Sequence, residues 1–172
     1  MRCGAVKLRA AQVVLLAMAV LLPLSHVDIT SSDDSWLLWV DGRPVDVAGA
    51  LAQSLTRWRR DCRQVRPVGP AEPLHAQVLA ALRQHSPPDS LSAELVQLSA
   101  SGRWLLAHVR FGALQEAVVL LEHADQGVRV SEGGVWSGST HPHRPEPVVR
   151  RYLHSRVPAA PEPLLACWDV PA

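Results

Sequence analysis

The N-terminal 29 residues constrain this chain more than any other part of it. The first nine residues carry three basic side chains and no acidic one, the next fifteen carry no charge, and the first acidic residue is Asp28. A basic start, a short apolar run and an acidic flank form the pattern of an export signal. Because basic residues stay on the cytoplasmic side of a membrane, this asymmetry predicts that residues 30–172 form an exported domain.

Two fates of residues 1–29 remain open. No A-x-A cleavage pattern follows Leu24, yet the uncharged run is shorter than the roughly 20 residues that a spanning helix needs. The segment is therefore predicted to be either a signal peptide that is removed or a single-pass membrane anchor that is retained. The domain is accordingly either periplasmic or tethered to the inner membrane from the periplasmic side.

Composition excludes several classes of function. Beyond residue 27 the chain has 14 arginines against 16 acidic residues, a net charge of −2, which gives no reason to expect nucleic acid as a partner. Lys7 is the only lysine and asparagine is absent, which rules out a Schiff-base lysine in the exported part and a Cys-His-Asn triad. The scarcity of residues with A/T-rich codons is typical of a GC-rich bacterial genome. No cofactor motif is present.

The exported part is predicted to begin with a hairpin and a helix. Residues 36–40 are apolar, Asp41-Gly42 is a favoured two-residue turn, and residues 43–45 form the returning strand. A helix is then expected over 47–63, because apolar residues recur at spacings of three and four. We expect this apolar stripe to face the core. Its members are Ala48, Leu51, Leu55, Trp58 and Cys62.

A second helix and four strands follow. Residues 67–73 are a proline-rich linker, a helix is expected over 74–85, and the strands form an antiparallel meander. The predicted strands are 93–99, 103–111, 116–123 and 127–136. The third strand is apolar on both faces, so it is either covered on both sides or lines a groove. We expect the two helices to cover one face, and the sequence leaves the other face open.

The C-terminal part is expected to be a proline-rich loop from residue 138, a short helix over 148–156 and an apolar tail that docks on the core. The fold class is therefore α+β. Two helices followed by a four-stranded meander are similar, in element order alone, to the cystatin-like and NTF2-like arrangement. That resemblance covers residues 74–137, rests on no motif and implies no residue role.

Cysteine usage predicts one disulfide. Cys3 lies in the export segment, so Cys62 and Cys167 are the only pair in the exported part. Disulfides persist outside the cytoplasm, and we expect these two residues to be bonded; two buried thiols are the alternative.

Six tryptophans and an arginine cluster are the candidate contact residues. Trp58 and Trp104 are expected in the core, whereas a contact surface for a partner is predicted from Trp36, Trp39 and Trp136. The first two could also lie at a membrane interface or pack in the hairpin. The arginines at the end of the first helix form either a solvated helix end or a site for anions or phospholipid headgroups. They are Arg57, Arg59, Arg60 and Arg63.

Motifs for metal binding and catalysis are weak. His141 and His143, with His154 or His123, form a candidate metal site, and exposed loop histidines are the alternative. Residues 134–138 read G-x-x-S-G, which is not a nucleophile elbow. No catalytic residues are therefore assigned.

These observations predict a non-enzymatic protein of the bacterial cell envelope that binds another protein, as an accessory domain in an assembly or secretion system. The alternative is a periplasmic protein that binds a small ligand or metal in a groove of the sheet or at the loop of His141 and His143.

Overall fold

The structure is a computed structural model that describes residues 27–31 and 36–169. It divides into two compact units, residues 1–48 and 49–172. The predicted export segment lies outside the described residues, except that Val27–Ile29 belong to the first strand. No helix in the described ranges is both long and apolar enough to cross a bilayer.

The chain is α+β. The strands are β1 Val27–Ser31, β2 Trp36–Val40, β3 Arg43–Val45, β4 Arg66–Pro67, β5 Glu94–Ser101, β6 Trp104–Arg110, β7 Ala117–Ala124 and β8 Gly127–Ser137. The helices are α1 Val47–Arg59, α2 Pro73–His85, α3 Pro145–Arg156 and α4 Glu162–Ala166, with a 3-10 turn at Asp89–Ser92.

The predicted hairpin is confirmed and gains a third strand. Asp41 and Gly42 have φ angles of 50° and 73°, the left-handed conformation that a two-residue hairpin turn requires. β1, which was not predicted, pairs antiparallel with β2, so that Ile29, Leu38 and Val45 stand side by side across the three strands. The first unit therefore contains an antiparallel sheet of order β1-β2-β3.

The predicted meander is also confirmed. The second unit contains an antiparallel sheet of order β4-β5-β6-β7-β8. β5 to β8 match the four predicted strands within two residues at each end. β4 is an addition, because Arg66 and Pro67 pair with Ala100 and Ser99 at the start of the expected linker.

Helices cover both faces of this sheet. On one face, α2 packs Val78 and Leu82 against a layer that includes Leu105. On the other face, α3, α4 and Trp168 pack against a layer that includes Leu106. The expectation that the first two helices together cover one face is wrong, since the α1 residues expected to face the core do not belong to this cluster.

Gly134 gives the G-x-x-S-G segment a structural role. A Cβ atom at this position would lie 3.0 Å from the carbonyl oxygen of Leu120 on the neighbouring strand. Only glycine allows this close approach without a shift of the backbone. The segment is therefore strand structure, and the Ser137 hydroxyl donates to the Glu116 carbonyl at 3.4 Å.

The predicted disulfide joins Cys62 to Cys167, with a Cα–Cα distance of 5.9 Å. It links the segment that follows α1 to the residue that follows α4. A bond of this kind is compatible with an exported protein.

Removal of the disulfide should destabilise the fold. The bond closes a loop with a sequence separation of 105, for which restriction of the unfolded chain contributes about 4–5 kcal/mol. We expect Cys62→Ser and Cys167→Ser, each in a Cys3→Ser background, to lower the free energy of unfolding by that amount in guanidinium titrations. The double variant should match either single variant, and a reductant should bring the parent to the same value. Equal stability of parent and variants would contradict the prediction.

Candidate functional site

α1 turns its apolar stripe away from the domain. Leu51, Leu55 and Trp58 are 61%, 52% and 81% exposed, so their predicted place in the core is wrong. The helix also ends at Arg59 rather than at residue 63. We call Leu51, Leu55 and Trp58 the α1 surface.

The opposite side of α1 is polar and faces the domain. Gln53 is buried, and the Thr56 hydroxyl accepts a hydrogen bond from Arg150 of α3 at 2.8 Å. The same hydroxyl donates to the Ala52 carbonyl at 2.8 Å. Thr56 therefore satisfies both of its hydrogen-bonding roles in this orientation.

Two of the four predicted arginines fasten α1 to the C-terminus. Arg60 donates to the Asp169 carboxylate at 2.9 Å, and Arg57 lies 3.3 Å from the same oxygen and 3.7 Å from Glu146. The hydrogen bond from Arg60 is the main cause that lowers the pKa of Asp169. These two arginines are therefore positioned by acidic partners within the domain.

The other two arginines remain on the surface. Arg63 pairs with the exposed Asp61 at 3.4 Å. Arg59 is exposed and makes no ion pair within the described ranges. The cluster therefore divides into an inner pair that holds the helix and an outer pair on the protein surface.

Helical periodicity could not reveal which stripe of α1 faces inward. Gln53, Thr56 and Arg60 recur at spacings of three and four, as the apolar stripe does, on the opposite side of the helix. Burial normally favours the apolar stripe. In this domain the neighbouring helices present charged and hydrogen-bonding groups to α1, and they select the polar stripe.

A groove of about 430 Å³ borders the α1 surface. Leu55, Pro163 and Ala166 contribute apolar side chains to its lining. Its charged lining residues have both signs and include Arg59, Asp61 and Glu162. The α1 surface thus continues into a concave region between α1 and α4.

A second candidate site surrounds His108, which is buried on β6. Its Nε2 atom lies 2.9 Å from Glu116, whose other oxygen accepts a hydrogen bond from Arg110 at 3.0 Å. That hydrogen bond is the main cause that lowers the pKa of Glu116. Since an ionised carboxylate only accepts, His108 donates a hydrogen bond from Nε2 to Glu116.

Two buried nitrogen atoms at this site have no hydrogen-bond partner among the residues that the structure describes. They are His108 Nδ1, which is an acceptor when the ring is neutral, and Trp168 Nε1, which is a donor. Both residues line a cavity of about 150 Å³ whose other walls include Trp136 and Thr140. The arrangement can accept one hydrogen bond and donate another, as a hydroxyl group or a water molecule requires.

Sequence reasoning missed this site, although the β6–β7 register contains it. Val109 pairs with Ala117, which places Arg110 opposite Glu116 and His108 diagonal to it. Diagonal neighbours are close enough for long side chains to meet. A turn assignment accurate to one residue would have indicated the contact.

The remaining predicted contact residues differ in their exposure. Trp36 is exposed, whereas Trp39 and Trp136 are half-buried. Trp104 is buried, as expected for a core residue.

The predicted metal ligands do not come together. His141 and His123 are exposed, and His154 lies 3.9 Å from Glu162. In the part of the chain that the structure describes, no three His, Cys, Asp or Glu side chains are grouped so as to hold a metal ion.

The ion pair of Asp169 should make stability depend on pH. The pKa of Asp169 is lowered in the folded state. The stabilisation by the ion pair is therefore complete above the pKa of the unfolded chain, about 3.9, and is lost as pH falls through the lower pKa of the folded state. Because the carboxylate is partly exposed, we expect Asp169→Asn to lower the free energy of unfolding at pH 7 by only about 1 kcal/mol. Urea titrations should show this difference shrink as pH falls below the unfolded value and vanish once the folded carboxyl is protonated. Arg59→Gln, the unpaired control, should change nothing, and a difference independent of pH would contradict the assignment.

No protein-family model matches the chain, and no curated protein or solved structure is significantly similar to it. The cystatin-like and NTF2-like element order stays a prediction. Function is therefore inferred from the arrangement of the described side chains.

Proposed function

We propose that this chain is a non-enzymatic protein-binding domain of the bacterial cell envelope, and that the α1 surface is its contact surface. The observation that carries the proposal is the outward orientation of Leu51, Leu55 and Trp58 on a helix whose polar side faces the domain. Burial of a leucine or a residue of similar size contributes about 1.5–3 kcal/mol, so a partner that covers this surface gains substantial free energy.

The composition of the α1 surface favours a protein partner. Tryptophan is enriched among the residues that dominate binding energy, and Trp58 is the most exposed large apolar residue of the described ranges. The groove beside the α1 surface is lined by charges of both signs, Arg59, Asp61 and Glu162 among them. A rim of mixed charge is typical of protein interfaces.

An envelope location is supported by two independent features. The basic, apolar and acidic order of the first 29 residues is that of an export signal. The disulfide between Cys62 and Cys167 suits an oxidising compartment. A C-terminal fusion to an enzyme that is active only in the periplasm should be active, and activity of a cytoplasm-only reporter in its place would refute the location.

Site-specific photo-crosslinking in cells tests the contact surface. A photoreactive amino acid at position 58 should capture one protein partner, and the same residue at position 91 should not, because Leu91 is exposed elsewhere. The variant Leu51→Ser/Leu55→Ser/Trp58→Ser should abolish the complex when the crosslinker is placed at Arg59. Equal capture from positions 58 and 91 would refute the proposal.

The same variant distinguishes a contact surface from a packed one. Exposed substitutions cost within about 0.5 kcal/mol each, whereas Leu153→Ala in the core of α3 should cost about 2–5 kcal/mol. A loss of stability in the triple variant as large as that of Leu153→Ala would show that α1 packs through these residues.

A second candidate function is supported by the cavity beside His108 and Trp168. We propose that it binds a small neutral molecule with a hydroxyl group, since His108 Nδ1 and Trp168 Nε1 lack a partner among the described residues, and Glu116 and Thr140 add polar groups to the lining. Its volume of about 150 Å³ limits the ligand to a few non-hydrogen atoms.

Native mass spectrometry of the protein purified from its own envelope tests this candidate. A bound molecule should be present, and Trp168→Phe should lower its occupancy about tenfold, because one hydrogen bond to a buried group is lost. Trp136 lines the same cavity, and its indole nitrogen is not one of the two buried atoms without a partner. Trp136→Phe should therefore keep the occupancy within about twofold. Absence of any bound molecule, or equal effects of the two variants, would leave ordered water as the occupant.

A further inference from the structure

The sheet of the first unit has one apolar face that is exposed. Antiparallel pairing places Ile29, Trp36, Leu38, Val40 and Val45 on the same side of β1, β2 and β3. Ile29 and Trp36 are 67% and 62% exposed, and Val40 and Val45 are also exposed. We call these five residues the sheet surface.

The other side of the sheet differs in burial and charge. Leu37 points to that side and is buried, and Asp28 lies there as well. The sheet surface contains no acidic residue, and its one charged neighbour on the same side is Arg43, which pairs with Val40. The exposed side is thus apolar, with Arg43 at its edge.

The position of the sheet in the chain points to what covers it. Only Ser25 and His26 separate Leu24, the end of the uncharged run, from Val27, the start of β1, so the two residues are three positions apart. A fully extended chain spans at most about 3.5 Å per residue, so β1 starts within about 10 Å of Leu24. That distance is comparable to the depth of the headgroup layer, which separates a hydrocarbon core of about 30 Å from water.

We propose that the sheet surface lies on the phospholipid bilayer that residues 10–24 enter, with Trp36 and Ile29 at the level of the headgroups. Tryptophan is enriched at this depth, and an arginine beside an apolar face complements lipid phosphate. The inference rests on the export and envelope location proposed above, and it requires that residues 10–24 remain attached. It gives the apolar segment the role of an anchor.

The two exposed apolar regions differ in their distance along the chain from residues 10–24. β1 begins three positions after Leu24, whereas Leu51, the first residue of the α1 surface, follows Leu24 by 27 positions. A bilayer that residues 10–24 enter is therefore within reach of the sheet surface, and the bilayer is assigned to the sheet and the protein partner to α1.

Tryptophan quenching in vesicles tests the assignment. The full chain is reconstituted in vesicles of phosphatidylcholine and phosphatidylglycerol whose acyl chains are brominated, because bromine quenches only the tryptophans that reach the lipid. We expect Trp36→Phe to reduce the lipid-dependent quenching by about twofold or more, since Trp36 is the tryptophan at the interface. Trp58→Phe, which removes an even more exposed tryptophan, should leave this quenching unchanged.

Three outcomes would overturn the inference. They are quenching that depends on Trp58 instead of Trp36, no lipid-dependent quenching at all, and an intact mass of the cellular protein that shows cleavage near Leu24. Failure of the proposed function is seen separately: if crosslinking at position 58 fails while Trp36 is quenched, the protein partner is refuted and the bilayer contact stands.

Discussion

The need to bury both faces of the central strands governs the second unit. Leu105 and Leu106 are neighbours on β6 that point to opposite sides of the sheet, and both are almost fully buried. One side is covered by α2, which precedes the sheet, and the other by α3 and α4, which follow it. The C-terminal residues are therefore part of the core, and the bond from Cys167 to Cys62 joins them to the segment after α1.

The helices that cover the second face of the sheet also determine how α1 is held. α3 and the C-terminal segment turn apolar side chains toward the sheet, and they present Arg150, Glu146 and Asp169 to α1. A helix bound to such groups must offer hydrogen-bonding partners, which Thr56 and Arg60 do. The apolar stripe is then left outside. The surface available to a partner is thus a consequence of satisfying charged groups inside the domain.

Two exposed apolar surfaces on one chain suit a domain that is anchored to the bilayer by one surface and binds a protein partner through the other. The face of β1 to β3 follows directly on the apolar residues 10–24, and the α1 surface has a rim of both signs. These features support lipid as the occupant of the first and protein as the occupant of the second. Under this proposal the anchoring contact and the recruiting contact lie in different units and can be altered independently.

The sequence alone determined the elements that depend on local chemistry. The turn at Asp41-Gly42, the helix α2 and the strands β5 to β8 follow from turn residues and side-chain periodicity, and the disulfide follows from the absence of another cysteine in the exported part. Only the tertiary structure decided the orientation of α1, because its two stripes share one period. The deciding contact joins Thr56 to Arg150 across 94 residues, and no local pattern encodes it.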